Sequence, residues 1–214
     1  MSDLSFQFLS GFIATVIPLL FVAVMIDDAG SRRIILYFCW GVFAGVLAYD
    51  LNNYFGSAWG QSQRMTLAVA PMIEEVCKGL PMLLFLNVKK YPRVTKLIVF
   101  CAMASGVGFS IQESTYYFAI SSREFVDLAS LVVRTLTTAL MHGMTTAAFG
   151  IGLLLFSKHQ HIIIPMIFGL FSLCASIHAL FNLLLYTQLA FISMIIPIAM
   201  FVAGWFFIRS QGSG

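Results

Sequence analysis

The stretch "APMIEEVCKGLPMLLFL", residues 70–86, sets Glu74, Glu75 and Lys78 inside a run that is otherwise apolar for long distances on both sides. What surrounds the run decides how those three groups are read. Of 214 residues, 60% are hydrophobic and 10% are charged, where a soluble domain carries about 25% charged residues. Such a chain is a polytopic membrane protein. Its formal charge of +3 is small and scattered, with no basic stripe interleaved with aromatics, so no nucleic-acid partner is expected. Cys39, Cys77, Cys101 and Cys174 all fall in apolar segments, with no CxxC pair and no loop framework. They read as free thiols with neither a redox nor a zinc-ribbon role.

A bilayer core about 30 Å thick takes roughly 20 apolar residues per helix. On that ruler the chain divides into seven spans, at about 6–26, 34–51, 65–88, 97–120, 128–157, 162–186 and 189–208. Continuous apolar runs, instead of short alternating segments, exclude a barrel and predict an all-α bundle of about seven transmembrane helices. The first run has no basic flank before it and no small-residue cleavage site after it, and is expected to remain as a span. Connections such as "DDAGSRR", "NNYFGSAWGQSQR" and "KKYPRVTK" are polar and hold Gly or Pro. With no linker, composition shift or internal repeat, residues 1–214 read as a single membrane domain. Basic residues gather in cytoplasmic loops. Here Arg32, Arg33, Lys89, Lys90, Arg93, Lys96, Lys158 and Arg209 fall on one side, against Arg64 and Arg123 on the other. The expected location is the cell membrane, with the N-terminus outside and the C-terminus cytoplasmic.

Inside the spans lie Glu74, Glu75, Lys78, Glu113, Arg134, His142, His178 and Asn182. A charge at membrane depth costs about 2.5 to 3.5 kcal/mol when left alone, so each such residue marks a functional site by default. Glu74 and Lys78, spaced i, i+4, could simply neutralise one another on one helix face. Against that, the polar residues come from four helices and converge on one layer. Helix rise puts Glu75, Glu113, His142 and His178 all roughly 10 to 15 Å beneath the outer surface. Glu74 and Glu75 point about 100° apart, so at most one faces squarely into a shared cavity while the other pairs with Lys78 or a supporting partner. His178 and Asn182 share a face, as do His142 and Thr146. The small residues Ala102, Ala104, Ser105, Gly106 and Gly108 predict close approach of the fourth helix to its neighbours. Water is expected to enter from outside, past Asp50 and Asn53.

Four blocks, "EEVCK" at 74–78, "FSIQE" at 109–113, "HGMTT" at 142–146 and "HALFN" at 178–182, resemble in order those of the PrsW-type intramembrane proteases. They are similar, more distantly, to those of the CAAX-prenyl endoprotease and bacteriocin-processing membrane proteins. The resemblance spans residues 65–190. Lys78 departs from the CAAX-type pattern, which carries an arginine one residue later. The resemblance implies a glutamate-dependent protease acting on single-span membrane proteins within the lipid. It further implies the first, extracytoplasmic cut in a transmembrane anti-sigma factor, the opening step of regulated proteolysis.

Peptide hydrolysis needs a water made nucleophilic and donors aimed at the developing oxyanion. Glu75 or Glu74 is the expected base, with His142 holding the water, His178 and Asn182 stabilising the oxyanion, Glu113 orienting a histidine or shuttling a proton, and Lys78 in support. No serine or cysteine has a sequence-local base, which argues against a covalent mechanism. No cofactor is expected on this reading. Alternatively, Glu75, Glu113, His142 and His178 could hold zinc, although HExxH is absent. A proton-coupled transporter could use the same groups as a relay, although no inverted repeat is visible.

Overall fold

The computed structural model describes residues 15–17, 19–20, 23–59, 65–90, 95–120, 128–156, 160–185, 187 and 190–210. Residues 15–17, 19–20 and 23–25 are helical and precede α1 (Ala29–Trp59). A π-helical turn (Met65–Val69) leads into α2 (Ala70–Gly79), which continues as a 3-10 helix (Leu80–Lys90). Then come α3 (Thr95–Ile120), α4 (Leu128–Phe156), a short 3-10 turn (Gln160–Ile162), α5 (Ile163–Leu185) and α6 (Ala190–Ser210). Among the described residues there is no strand. The architecture is the expected all-α membrane bundle.

Among the described residues, four helices are long and apolar enough to cross a bilayer: Ala29–Ala58, Lys96–Tyr116, Val132–Phe156 and Ile163–Leu185, with a shorter apolar helix at Phe191–Phe206. The expected 6–26 span lies largely outside the described residues. The expected 65–88 span is helical throughout but changes type along its length, from a π turn through α2 to a 3-10 helix, with a proline near each change. Pro71 sits in the first turn of α2, where a missing N–H does no harm. Pro81 cannot donate to the carbonyl of Cys77, four residues back. That carbonyl accepts the indole N–H of Trp40 instead, at 3.0 Å, and Pro81's own carbonyl accepts the Tyr37 hydroxyl at 3.1 Å. Two aromatic residues of α1 thus bond to backbone carbonyls at the change of helix type.

α1 starts at a capping aspartate. Asp28 Oδ2 accepts the Ser31 backbone N–H at 2.6 Å, the bond that an N-cap supplies, and this bond holds the Asp28 carboxyl below its ordinary range. Arg32 folds back to donate to the carbonyl of Ile26 at 2.8 Å.

Helices consecutive along the chain alternate in direction. Tyr49 of α1 meets Tyr116 of α3, and Gly30 approaches Leu97, so α1 and α3 run parallel. Gly106 of α3 lies on His142 of α4 and Gly150 lies on Ala102, so that pair is antiparallel, as are α4 and α5 through Gly152 and Leu170. Arg32, Arg33 and Lys96 therefore gather at one end, which α6 rejoins at Arg209. At two crossings only glycine fits. A Cβ on Gly41 would overlap the backbone of Ser105, and one on Gly106 would overlap the carbonyl of His142. Between the polar layer and the basic end lies an apolar plug of Met82, Cys101, Phe149, Leu153 and Cys174, with the Phe149 and Phe171 rings stacked at 4.2 Å.

Candidate active site

Lys78 is fully buried, and geometry accounts for each of its three donors. Its Nζ lies 2.7 Å from Glu75 Oε1, 2.8 Å from His142 Nδ1 and 3.1 Å from Thr145 Oγ1. The ion pair is therefore Glu75 with Lys78 at i, i+3, and not the Glu74 with Lys78 pair that spacing alone allowed. An ammonium can only donate, so His142 Nδ1 accepts, and the proton of that ring sits on Nε2, which donates to Glu113 Oε2. Lys78 thus selects the tautomer through which His142 meets Glu113.

His178 is arranged the other way round. Its Nδ1 donates to Glu75 Oε1 at 3.0 Å, which leaves Nε2 facing Glu74 Oε2 at 3.6 Å. The two histidine rings stand edge to face, with centroids 4.8 Å apart and planes at 88°. Glu74 is steadied from α1, where Asn52 Nδ2 donates to its Oε1 at 3.2 Å. Thr145 Oγ1 lies 3.3 Å from Glu75 Oε1 and ties that carboxylate further to α4. Phe109 closes one side, its ring 4.9 Å from that of His142 and 5.5 Å from Lys78 Nζ.

The result is an inner and an outer ring. Glu75, Lys78 and Thr145 are buried supports. Glu74, Glu113, His142 and His178 each present one donor atom, and these four atoms lie within 4.8 Å of one another. The histidines form the floor, each 1% exposed, while the carboxylates form the accessible side, Glu113 at 27% and Glu74 at 16%. The quartet differs from the one expected for a metal, because Glu74 takes the place given to Glu75. On α2 the two glutamates point different ways, and the one turned inward is consumed by Lys78 and His178.

Asn182, half-buried one turn beyond His178, takes part in none of these hydrogen bonds. Thr146 bonds back to the His142 carbonyl at 2.8 Å. Two members of the site escaped sequence reading. Thr145 stood in a quoted block but carries no charge to mark it. Asn52 lies between Asp50 and Asn53, both exposed, just past the expected end of its span.

No thiol belongs to the cluster. Cys77 packs against Ala44, Ala48 and Phe109, and Cys174 Sγ donates to the Thr145 carbonyl at 3.3 Å. Ser105 Oγ donates to the Lys78 carbonyl at 2.8 Å. Cys77→Ser and Ser105→Ala are accordingly expected to keep activity within about 3-fold of wild type, since each loses at most one neutral contact worth about 1 kcal/mol in stability. Abolished cleavage in either variant would revive a covalent mechanism.

A family model described as PrsW family intramembrane metalloprotease matches residues 30–208. No curated protein and no solved structure matches the chain.

Proposed function

The chain belongs to the PrsW family of intramembrane proteases, and we propose that it cuts a single-span membrane protein with Glu113, His142 and His178 holding a zinc ion and Glu74 acting as base. The observation that carries this reading is the convergence of two imidazoles and two carboxylates from four helices to within 4.8 Å. Two histidines and a glutamate form a donor set that catalytic zinc uses with one position left open. His178 also has its other ring nitrogen bound to a carboxylate, as ligating histidines do. Glu74, Glu75 and Glu113 are set against Lys78, paired with Glu75, and Arg134, near enough to Glu113 to act on it, and the remaining negative surplus is one that a divalent cation would offset. Zinc, when bound, supplies a Lewis acid that makes water nucleophilic near neutral pH.

The chain's own residues do the rest. Glu74, held by Asn52, takes a proton from the attacking water as its oxygen bonds to the carbonyl carbon. It then delivers that proton to the nitrogen as the C–N bond breaks. Asn182 donates to the developing oxyanion. Glu75 and Lys78 fix the two histidines and touch no substrate. Because the quartet lies nearer the end opposite Arg32, Arg33, Lys96 and Arg209, cutting falls in the outer half of the bilayer, with the C-terminus cytoplasmic. A transmembrane anti-sigma factor, cut at its extracytoplasmic boundary, is the substrate class that the four-block resemblance suggests. One observation favours a metal-free variant of this reading: with Lys78 donating to Nδ1, the Nε2 of His142 carries a proton; with zinc on Nε2, one proton would be released, the ring's N–H would move to Nδ1 and Lys78 would be left as the neutral amine that accepts it.

Co-expression with single-span membrane proteins, followed by sequencing of the products and metal analysis of purified protein, tests these points. The expected result is cleavage near the extracytoplasmic boundary, about one zinc per chain, and loss of both in His178→Ala. Chelator-resistant cleavage without zinc would establish the metal-free variant. Products ending at the inner boundary, or no cleavage at all, would overturn the proposal.

A further inference from the structure

Asn52 carries a feature that its bond to Glu74 does not explain. A carboxylate accepts and does not donate, so the amide must turn Nδ2 toward Glu74. Oδ1 is left buried, with no hydrogen-bond partner. A buried acceptor without a donor is costly and calls for a physical reason. Two other buried side-chain atoms among the described residues share this condition, Gln112 Oε1 and Ser114 Oγ. Gln112 is wedged against Gly45 in the seam between α1 and α3. Of the three, Asn52 is the one with a hydrogen bond to a member of the quartet. Its Oδ1 and Nδ2 share one carbon, so the unpartnered acceptor sits beside the Glu74 carboxylate, where a scissile bond would have to come.

A transmembrane substrate brings the complementary problem. A helix that unwinds to expose one peptide bond frees backbone N–H groups from their carbonyl partners, and apolar surroundings offer no water to replace them. Donors without acceptors thus meet an acceptor without a donor. We infer that Asn52 Oδ1 accepts a backbone N–H of the unwound substrate segment flanking the scissile bond. Asn52 is then a substrate-binding residue that positions Glu74 with the other half of the same amide. The contact reads backbone and not side chain, so it selects segments that can unwind, with little regard to their sequence. This inference rests on the peptidase reading above.

The probe is a synthetic single-span peptide of leucine and alanine with a Gly-Ser pair near its outer end, presented in detergent to the purified full-length protein. In a matched set, each backbone amide except the scissile one is replaced in turn by an ester, which removes a single N–H and keeps every side chain. The expected result is one ester position that lowers kcat/KM about 10-fold with wild type yet less than about 2-fold with Asn52→Leu, because the lost bond is already absent there. Asn52→Asp, which keeps an acceptor, should retain the penalty, and Asn52→Ala replaces Asn52→Leu should the latter not fold. Equal ester penalties in wild type and variant at every position would overturn the assignment and leave the peptidase reading standing. Failure of wild type to cut either the parent peptide or co-expressed single-span proteins would overturn both.

Discussion

Glu74→Gln is expected to lower peptide-bond hydrolysis by about 10³-fold, the usual contribution of a positioned base, while leaving thermal stability and zinc content near those of wild type. Glu75→Gln is expected to act differently. It leaves Lys78, fully buried, without its ion-pair partner, and breaking such a pair from one side costs about 3 to 5 kcal/mol. The amide also removes the acceptor that aligns His178. Thermal unfolding in detergent, run beside a cleavage assay, separates the two: activity alone falls in the first variant, and stability falls with activity in the second. The opposite pattern, with Glu74→Gln unstable and Glu75→Gln inactive but stable, would exchange the roles assigned to the two residues.

The second large effect is expected at Gly106. An alanine there places its methyl in the His142 carbonyl, which is backbone and cannot swing aside, so α3 and α4 must separate. Glu113 lies on one of these helices and His142 on the other, and their contact depends on the spacing. A displacement of about 1 Å at reacting groups can cost about 10²-fold in rate, and overpacking adds about 1 to 3 kcal/mol of destabilisation. Gly106→Ala is therefore expected to lose at least about 10²-fold of activity while still inserting into the membrane. Gly169→Ala, at a position with nothing within 4 Å of the added carbon, serves as the control and should match wild type. Full activity in Gly106→Ala would show that the α3–α4 spacing does not set the site.

Much of this was legible in the chain because lipid makes polar groups conspicuous. Glu74, Glu75, Lys78, Glu113, His142 and His178 stand out in apolar runs, and the cost of stranding them requires that they find one another. The same logic missed Asn52, uncharged and just past the expected end of its span, and Thr145, an ordinary helical hydroxyl. The change of helix type along the third span had a local signal in Pro71 and Pro81, but a hydropathy ruler registers apolar length and not a missing N–H.

By itself the sequence determined the environment, the all-α architecture and the identity of the groups that must meet, since hydropathy and the cost of buried charge act residue by residue. It also determined that α3 could pack closely, since glycine leaves room wherever it stands. Only the tertiary structure decided which glutamate faces the site. Glu74 and Glu75 are neighbours with the same chemistry, and their difference is set by the rotation of α2, which the packing of Lys78 between His142 and Thr145 of α4 fixes. That rotation puts Glu75 under His178 and hands Glu74 to Asn52, a choice made by contacts between helices far apart in the chain.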